Sequence, residues 1–381
     1  FGSRLVGSRP PSLRRQKCCG RSPGRPAPSP APPRPPGSGP PPRDEMDAEQ
    51  RMRILGSEIP SSLQLALDLK QVARCDIFIG SEDAIGQTYH GRVFGGQVLA
   101  QALVAALRTV PDDLHIHSLH GYFLLVGTSG VELLFEVDRV RDGRSFATRS
   151  VKALQQNKAI FQLTASFHKP EWGPAFQMPG TELVEIVREK GFTGGVLPTP
   201  QELVAKGAQI ERGTFADNKG DTQCVEISRG VWWCLRYYRH RTRLSDDTPG
   251  VHASILAWLT DSYMVEIVCV PHESRHGMEF SQRYSLDHSI HFHTLNFRAD
   301  EWMVFFISTS VSGGSRGLAR IQVYTLDGRL VATVTQEAVM RVPKEVAGKL
   351  REAEEKLSSD QGAGAGMGFE LAEIKSPRAR L

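Results

Sequence analysis

Three polar side chains fall where the surrounding pattern is apolar. Asp261 has Ala257, Trp258, Met264 and Val265 three and four residues away, so on a helix its carboxylate lies on an apolar face and is stripped of water. Gln336 interrupts the even-numbered face of a strand whose other members are Leu330, Ala332, Val334, Ala338 and Met340. Ser285 is the third, because an internal repeat pairs it with Leu114 and so implies an inward orientation. Burying an unpaired polar group costs about 1–3 kcal/mol. An acid, an alcohol and an amide gathered at one end of a helix should therefore satisfy one another or hold a water in common. A carboxylate beside a held water can exchange a proton with it, the elementary step of general base catalysis. The alternative reading is a hydrogen-bonded core network without chemistry.

The elements that must position these groups are visible in the hydrophobic periodicity. From Arg92 to Val110 apolar residues recur at helical spacing, with Gly95 and Gly96 at the head permitting close backbone approach. After Pro111 the pattern turns to strands over 115–125, 131–140, 145–154 and 159–167, separated by turn residues. A helix followed by an antiparallel meander is an α+β unit whose sheet can wrap the helix.

That unit occurs twice. Shifted by 171 positions, His117-Ser118-Leu119-His120 falls on His288-Ser289-Ile290-His291, Gly143 on Gly314 and Arg149 on Arg320. A second helix, about 253–268, matches the first at a shift of 164. The positions matching Asp261, Ser285 and Gln336 in the first copy are Gln97, Leu114 and Ala165, which carry neither acid nor hydroxyl, so one site is expected, in the second copy. The expected organisation is a Pro/Arg-rich disordered arm over 1–56, units over 57–170 and 226–345 joined by a linker over 171–225, then a surface helix and flexible tail over 346–381.

Composition narrows the partners. Residues 1–43 hold nine Lys or Arg, no acid and 13 of the 24 prolines; without those cations the formal +4 becomes −5. A mildly acidic body is not expected to bind nucleic acid. Apolar runs such as Val265 to Val270 fall short of the roughly 18 residues a membrane span needs, so no transmembrane segment is expected. The six cysteines show no C-x-x-C spacing, which argues against zinc and against a disulfide framework. The arm begins with Phe1, and Met46 is a plausible start. An Arg-rich arm without acids also suits a transit peptide, although its prolines break the usual amphipathic helix.

Five separated motifs carry a resemblance. They are Arg92-Val93-Phe94-Gly95-Gly96-Gln97, the stretch from His115 to Phe123, Ser285 to His293 with Asp287-His288-Ser289 inside it, Gly313-Gly314-Ser315-Arg316-Gly317, and Thr335-Gln336-Glu337-Ala338-Val339. Over about 57–345 the chain resembles the type II acyl-CoA thioesterase family, and within it the peroxisomal branch. The resemblance implies a double hotdog fold, with each of two units wrapping an antiparallel sheet around a long central helix. It implies fatty acyl-CoA as substrate, no cofactor, and a catalytic set of Asp, Ser or Thr, and Gln that orients a hydrolytic water. Those positions fall on Asp261, Ser285 and Gln336.

Other readings of the same residues stay open on the sequence. Gly313-x-Ser315-x-Gly317 fits a nucleophile elbow, but the residues after it alternate like a strand, not a helix. His288, His291, His293 and Asp287 could hold a metal, yet the first copy keeps two of these histidines, as the shared fold would require. A hotdog 3-hydroxyacyl-CoA dehydratase or a non-catalytic acyl-CoA-binding module are the alternatives in other functional classes. Arg316, in a Gly-rich turn, is a candidate contact for the phosphates of coenzyme A. Self-association into a homo-oligomer is expected. The final Ala379-Arg380-Leu381 resembles the Ser-Lys-Leu address read by the peroxisomal import receptor, which makes the peroxisome the expected location and the mitochondrion or cytosol the runners-up.

Overall fold

The computed structural model describes residues 67–72, 76–80, 91–177, 197–205, 209–212, 222–229, 232–240, 243–349 and 351–352. The basic arm, Cys18, Cys19, Cys75, the Gly191-Phe192 signal and the C-terminal tail with Ala379-Arg380-Leu381 lie outside these residues.

The first half contains strands β1 (Leu69–Gln71), β2 (Ile77–Gly80), β3 (His115–Phe123), β4 (Leu134–Asp142), β5 (Phe146–Gln155) and β6 (Lys158–His168), with helix α1 (Gly95–Leu107). A short α2 (Pro200–Ala205) and strand β7 (Gln209–Arg212) follow in the stretch read as linker, and β8 (Thr222–Arg229) begins there too. The second half adds β9 (Trp233–His240), α3 (Pro249–Thr260), α4 (Met264–His276), β10 (Gln282–Ser285), β11 (Asp287–Phe292), β12 (Met303–Gly313), β13 (Arg316–Thr325) and β14 (Leu330–Arg341).

All ladders are antiparallel and join in one 14-stranded sheet, ordered β1-β2-β4-β5-β6-β3-β11-β14-β13-β12-β9-β8-β7, with β10 also on β14. Inward from β2 on one side and from β9 on the other the order is the same: one strand, a three-strand meander, then the strand that precedes the meander in sequence, with β1 lying outside β2 and β8 and β7 outside β9. The halves meet at β3 and β11, where Leu119 lies opposite Ile290. Helix α1 packs on β4, β5 and β6, and α4 on β12, β13 and β14. This is the double hotdog architecture. Its driving force is burial on both sheet halves: Leu99, Leu103, Phe135, Val151, Phe161 and Leu163 are fully enclosed in one, and Ile267, Val268, Phe305, Ile321, Val323 and Val334 in the other.

The second helix is not continuous. The expected 253–268 segment breaks between α3 and α4, with Asp261 as the C-cap of α3 and Tyr263 in the left-handed region (φ 69°) as the N-cap of α4. A non-glycine residue at positive φ is held by its surroundings. Here the Arg236 guanidinium lies 3.7 Å over the Tyr263 ring. Gly277, also left-handed, ends α4 in the usual way.

One apolar stretch is longer than the runs read from the sequence. Residues 249–274 are long and apolar enough to cross a membrane by length and composition, but 89% of the apolar window is buried inside the protein. A helix enclosed on all sides needs the same composition as a spanning one.

Candidate active site

Strand β14 alternates as expected: Ala332, Val334, Gln336, Ala338 and Met340 are buried, with half-exposed residues between them. Gln336 is fully enclosed, and its Nε2 donates to the Ser285 Oγ at 2.6 Å. Ser285 ends β10, which pairs with β14 and places Ser285 opposite Ala338. Asp261 comes from the helix break and is 8% exposed. The three side chains singled out in the sequence therefore converge.

The fourth wall is contributed by the other half of the chain. The Gly96 N–H, in the first turn of α1, donates to the Asp261 carboxylate. That approach depends on the paired glycines: a Cβ on Gly95 would lie 2.7 Å from Asp261 Oδ2, and one on Gly96 would lie 2.6 Å from the Trp258 carbonyl oxygen of α3. The site is thus built across the joint between two units, with the acid on one and a helix N-terminus on the other. A helix N-terminus carries partial positive charge and unpaired N–H groups, which favour an anion.

Burial pushes the Asp261 carboxyl up to about 7, and the charge of Glu266 on α4 pushes the same way. Hydrogen bonds from Gly96, Gln336 and Ser285 pull against that rise without cancelling it. Its Oδ1 makes no hydrogen bond among the described residues. An acid with these properties exchanges its proton near neutrality and keeps a lone pair available.

Sequence reasoning weighed His288 as a metal ligand and did not place it in this site. It is fully enclosed, its Nδ1 lies 2.6 Å from Gln336 Oε1 and 3.8 Å from Asp261 Oδ1, and its Nε2 is 3.1 Å from Thr260 Oγ1. The repeat had matched it to His117 and so to the common fold. The structure corrects that equivalence. A bulge between Ile116 and Ser118 turns His117 to the outer face, where it meets Ser166 at 2.8 Å and the rings of Phe146 and His168. The signal available in the sequence was parity, since His288 and Ile290 alternate with Asp287 and Ser289.

The remaining candidates lie elsewhere. Arg316 is 53% exposed and its Nε donates to Glu337 at 2.8 Å, on the face of β14 opposite Gln336. Ser315 occupies the β12–β13 hairpin at positive φ and leads into a strand, so no nucleophile elbow forms there. Asp287 accepts from Glu337 N–H and lies 2.9 Å from His120, and His293 meets Thr333, while His288 points inward; these groups do not converge on a metal.

Comparison with known proteins gives the same outline. Family models for the N-terminal and C-terminal domains of acyl-CoA thioesterases match residues 86–168 and 205–340. The human acyl-coenzyme A thioesterase 8 is 33% identical over 271 residues, covering 67% of this chain and 82% of that protein. The peroxisomal acyl-coenzyme A thioester hydrolase 1 of Saccharomyces cerevisiae is 40% identical over 299 residues, covering 64% and 84%. Among solved structures, the acyl-CoA thioesterase II TesB2 of Mycobacterium marinum superposes with a TM-score of 0.58 at 32% identity, covering 74% of this chain and 97% of that one. The two family models fall one on each half of the sheet: the chain belongs to the type II acyl-CoA thioesterase family and is an acyl-CoA thioester hydrolase.

Proposed function

We propose that Asp261 is the general base of this hydrolysis and that Ser285 and Gln336 orient the attacking water. The observation that supports this most directly is the convergence of one acid, one alcohol and one amide, with Gln336 Nε2 on Ser285 Oγ at 2.6 Å and the carboxylate raised toward neutrality beside them. Asp261 takes a proton from water as the oxygen bonds to the thioester carbonyl carbon. The resulting oxyanion is stabilised by the positive end of the α1 dipole. The carbon–sulfur bond then breaks, the carbonyl re-forms, and the departing thiolate takes the proton from Asp261. The products are a fatty acid and coenzyme A, with no covalent enzyme intermediate. His288 has both ring nitrogens engaged within the protein, which leaves neither for substrate and disfavours a dehydratase.

The test is Asp261→Asn, followed by free thiol released from palmitoyl-CoA. Loss of about 10²–10⁴-fold in kcat is expected for a missing general base. Wild-type turnover in a folded Asn variant would remove the assignment.

We also propose that Arg316 meets the coenzyme A phosphates and that the enzyme works in the peroxisome as a homo-oligomer, carried there by Ala379-Arg380-Leu381. The Saccharomyces cerevisiae relative, named peroxisomal, supports the location. A tagged chain whose distribution is unchanged by deleting those three residues argues against it. Sedimentation at micromolar concentration tests the oligomer.

A further inference from the structure

We propose that His288 is a positioning residue, which holds the Gln336 amide in the one orientation that aims its N–H groups at Ser285 and Asp261. This rests on Asp261, Ser285 and Gln336 acting together on the hydrolytic water. Five groups form a continuous path from helix to acid: Thr260 Oγ1 to His288 Nε2 at 3.1 Å, His288 Nδ1 to Gln336 Oε1 at 2.6 Å, Gln336 Nε2 to Ser285 Oγ at 2.6 Å, and both Ser285 and Gln336 against the Asp261 carboxylate. A side-chain amide has one accepting and one donating end, so it can be placed either way round. Turned over, Gln336 would set its oxygen lone pairs against those of Asp261.

The partner that forbids the turn is the imidazole. At 2.6 Å, Nδ1 and Oε1 cannot face each other as two acceptors, so Nδ1 carries the proton and Nε2 accepts from the Thr260 hydroxyl. In that arrangement Thr260 gives its single proton to His288 and releases the Ala257 carbonyl, which lies 2.8 Å from the same hydroxyl. Complete enclosure keeps the ring neutral, its pKa lowered to about 4, so the tautomer persists across the working range. The opposite tautomer would favour the reversed amide and deprive the acid of two donors. Titratable groups facing the ring are Asp261 on the helix side and, on the far side of its own strand and the neighbouring one, Asp287 and His120.

The first copy supplies the contrast. Its matching amide position is Ala165, and the histidine of its motif, His117, faces outward onto Ser166. The interior histidine therefore accompanies the amide and not the fold.

Two measurements test this. Nitrogen-15 spectra of the wild-type enzyme should show His288 protonated at Nδ1 and bare at Nε2 between pH 6 and 8; the Nε2–H tautomer overturns the proposal. In kinetics, His288→Leu should lower kcat by about 100-fold, the scale of a misplaced reacting group, with KM within about twofold. His288→Asn, whose amide N–H can stand where Nδ1–H stands, should recover most of that loss. Full kcat in His288→Leu alongside an inactive Gln336→Ala overturns this proposal alone. An active Gln336→Ala overturns the water-orienting reading beneath it. Equal losses in the Leu and Asn variants at wild-type thermal stability reduce His288 to a packing role. The spectra require no variant to fold.

Discussion

The backbone N–H of Gly96 donates to the carboxylate of Asp261, so the head of one unit's helix is hydrogen-bonded to the acid of the other. The two glycines there have separable duties. A methyl group on Gly95 would meet Asp261 Oδ2 at 2.7 Å and the Phe123 ring at 2.9 Å, whereas one on Gly96 would meet the Phe94 ring at 2.5 Å and the Trp258 carbonyl oxygen at 2.6 Å. Gly95→Ala is expected to displace the carboxylate and lower kcat by about 100-fold in a protein of near-normal stability. Gly96→Ala is expected to cost about 1–3 kcal/mol of stability by forcing α1 from α3. Thermal melts and thiol release on the same preparations check both, and a Gly95→Ala enzyme with normal turnover would contradict the geometry.

Asp261 also ties activity and stability to pH in opposite directions. The base works when ionised, so kcat/KM should rise with pH through about 7 and level off above it. For stability the sign reverses. With a folded value near 7 and an unfolded one near 3.8, the native state binds the extra proton between them, and stability contributed by this group is lost as pH rises from about 4 to 7. Asp261→Asn should then be inactive yet more stable than wild type at pH 8, by up to about 4 kcal/mol, with the gain gone near pH 4. Urea unfolding at the two pH values measures it.

How much of the site was legible follows from which physical signals leave a trace in sequence. Gln336 was readable because a strand's period of two is rigid, and one polar residue on a buried face stands out. Asp261 was readable because its helical neighbours are apolar. The break that carries Asp261 was not, since Thr260-Asp261-Ser262 cross it with neither Gly nor Pro to mark it and the turn depends on Tyr263 at φ 69° under Arg236, a tertiary arrangement. His288 was hidden by a correct sequence match: identical motifs, shifted between faces by a bulge at Ile116/Ser118, put one histidine outside and the other inside.

Arg316 gives a prediction about substrate, not chemistry. Its guanidinium is half exposed and already paired with Glu337, on the side of β14 away from Gln336. A contact with coenzyme A phosphates would be a solvent-facing one, so Arg316→Ala should raise KM for acyl-CoA by about 3- to 10-fold and leave kcat alone. An acyl-pantetheine substrate, which lacks the phosphates, should not distinguish the variant from wild type. A kcat effect on both substrates would remove Arg316 from the phosphate role.

The match of Arg149 with Arg320 makes the last test, because the strand ladders disagree with it. Arg149 lies opposite Ala165, but the residue opposite Gln336 is Ala319, and Arg320 is opposite Thr335. The β13–β14 turn holds one residue more than the β5–β6 turn, so the ungapped match sets Arg320 one position away from the true counterpart of Arg149, which in a strand is the other face. Arg149 is accordingly fully enclosed and donates to Thr109 Oγ1, the carbonyls of Thr109, Arg141 and Thr148, and Asp142, closing the end of α1. Arg320 is exposed. Arg149→Ala should therefore cost about 3–5 kcal/mol by leaving those acceptors unpaired, and Lys, lacking the planar fork, should not restore it. Arg320→Ala should stay within about 0.5 kcal/mol. Equal losses for the two variants in denaturant unfolding would mean that the arginines are equivalent after all and that Arg320 does not stand opposite Thr335.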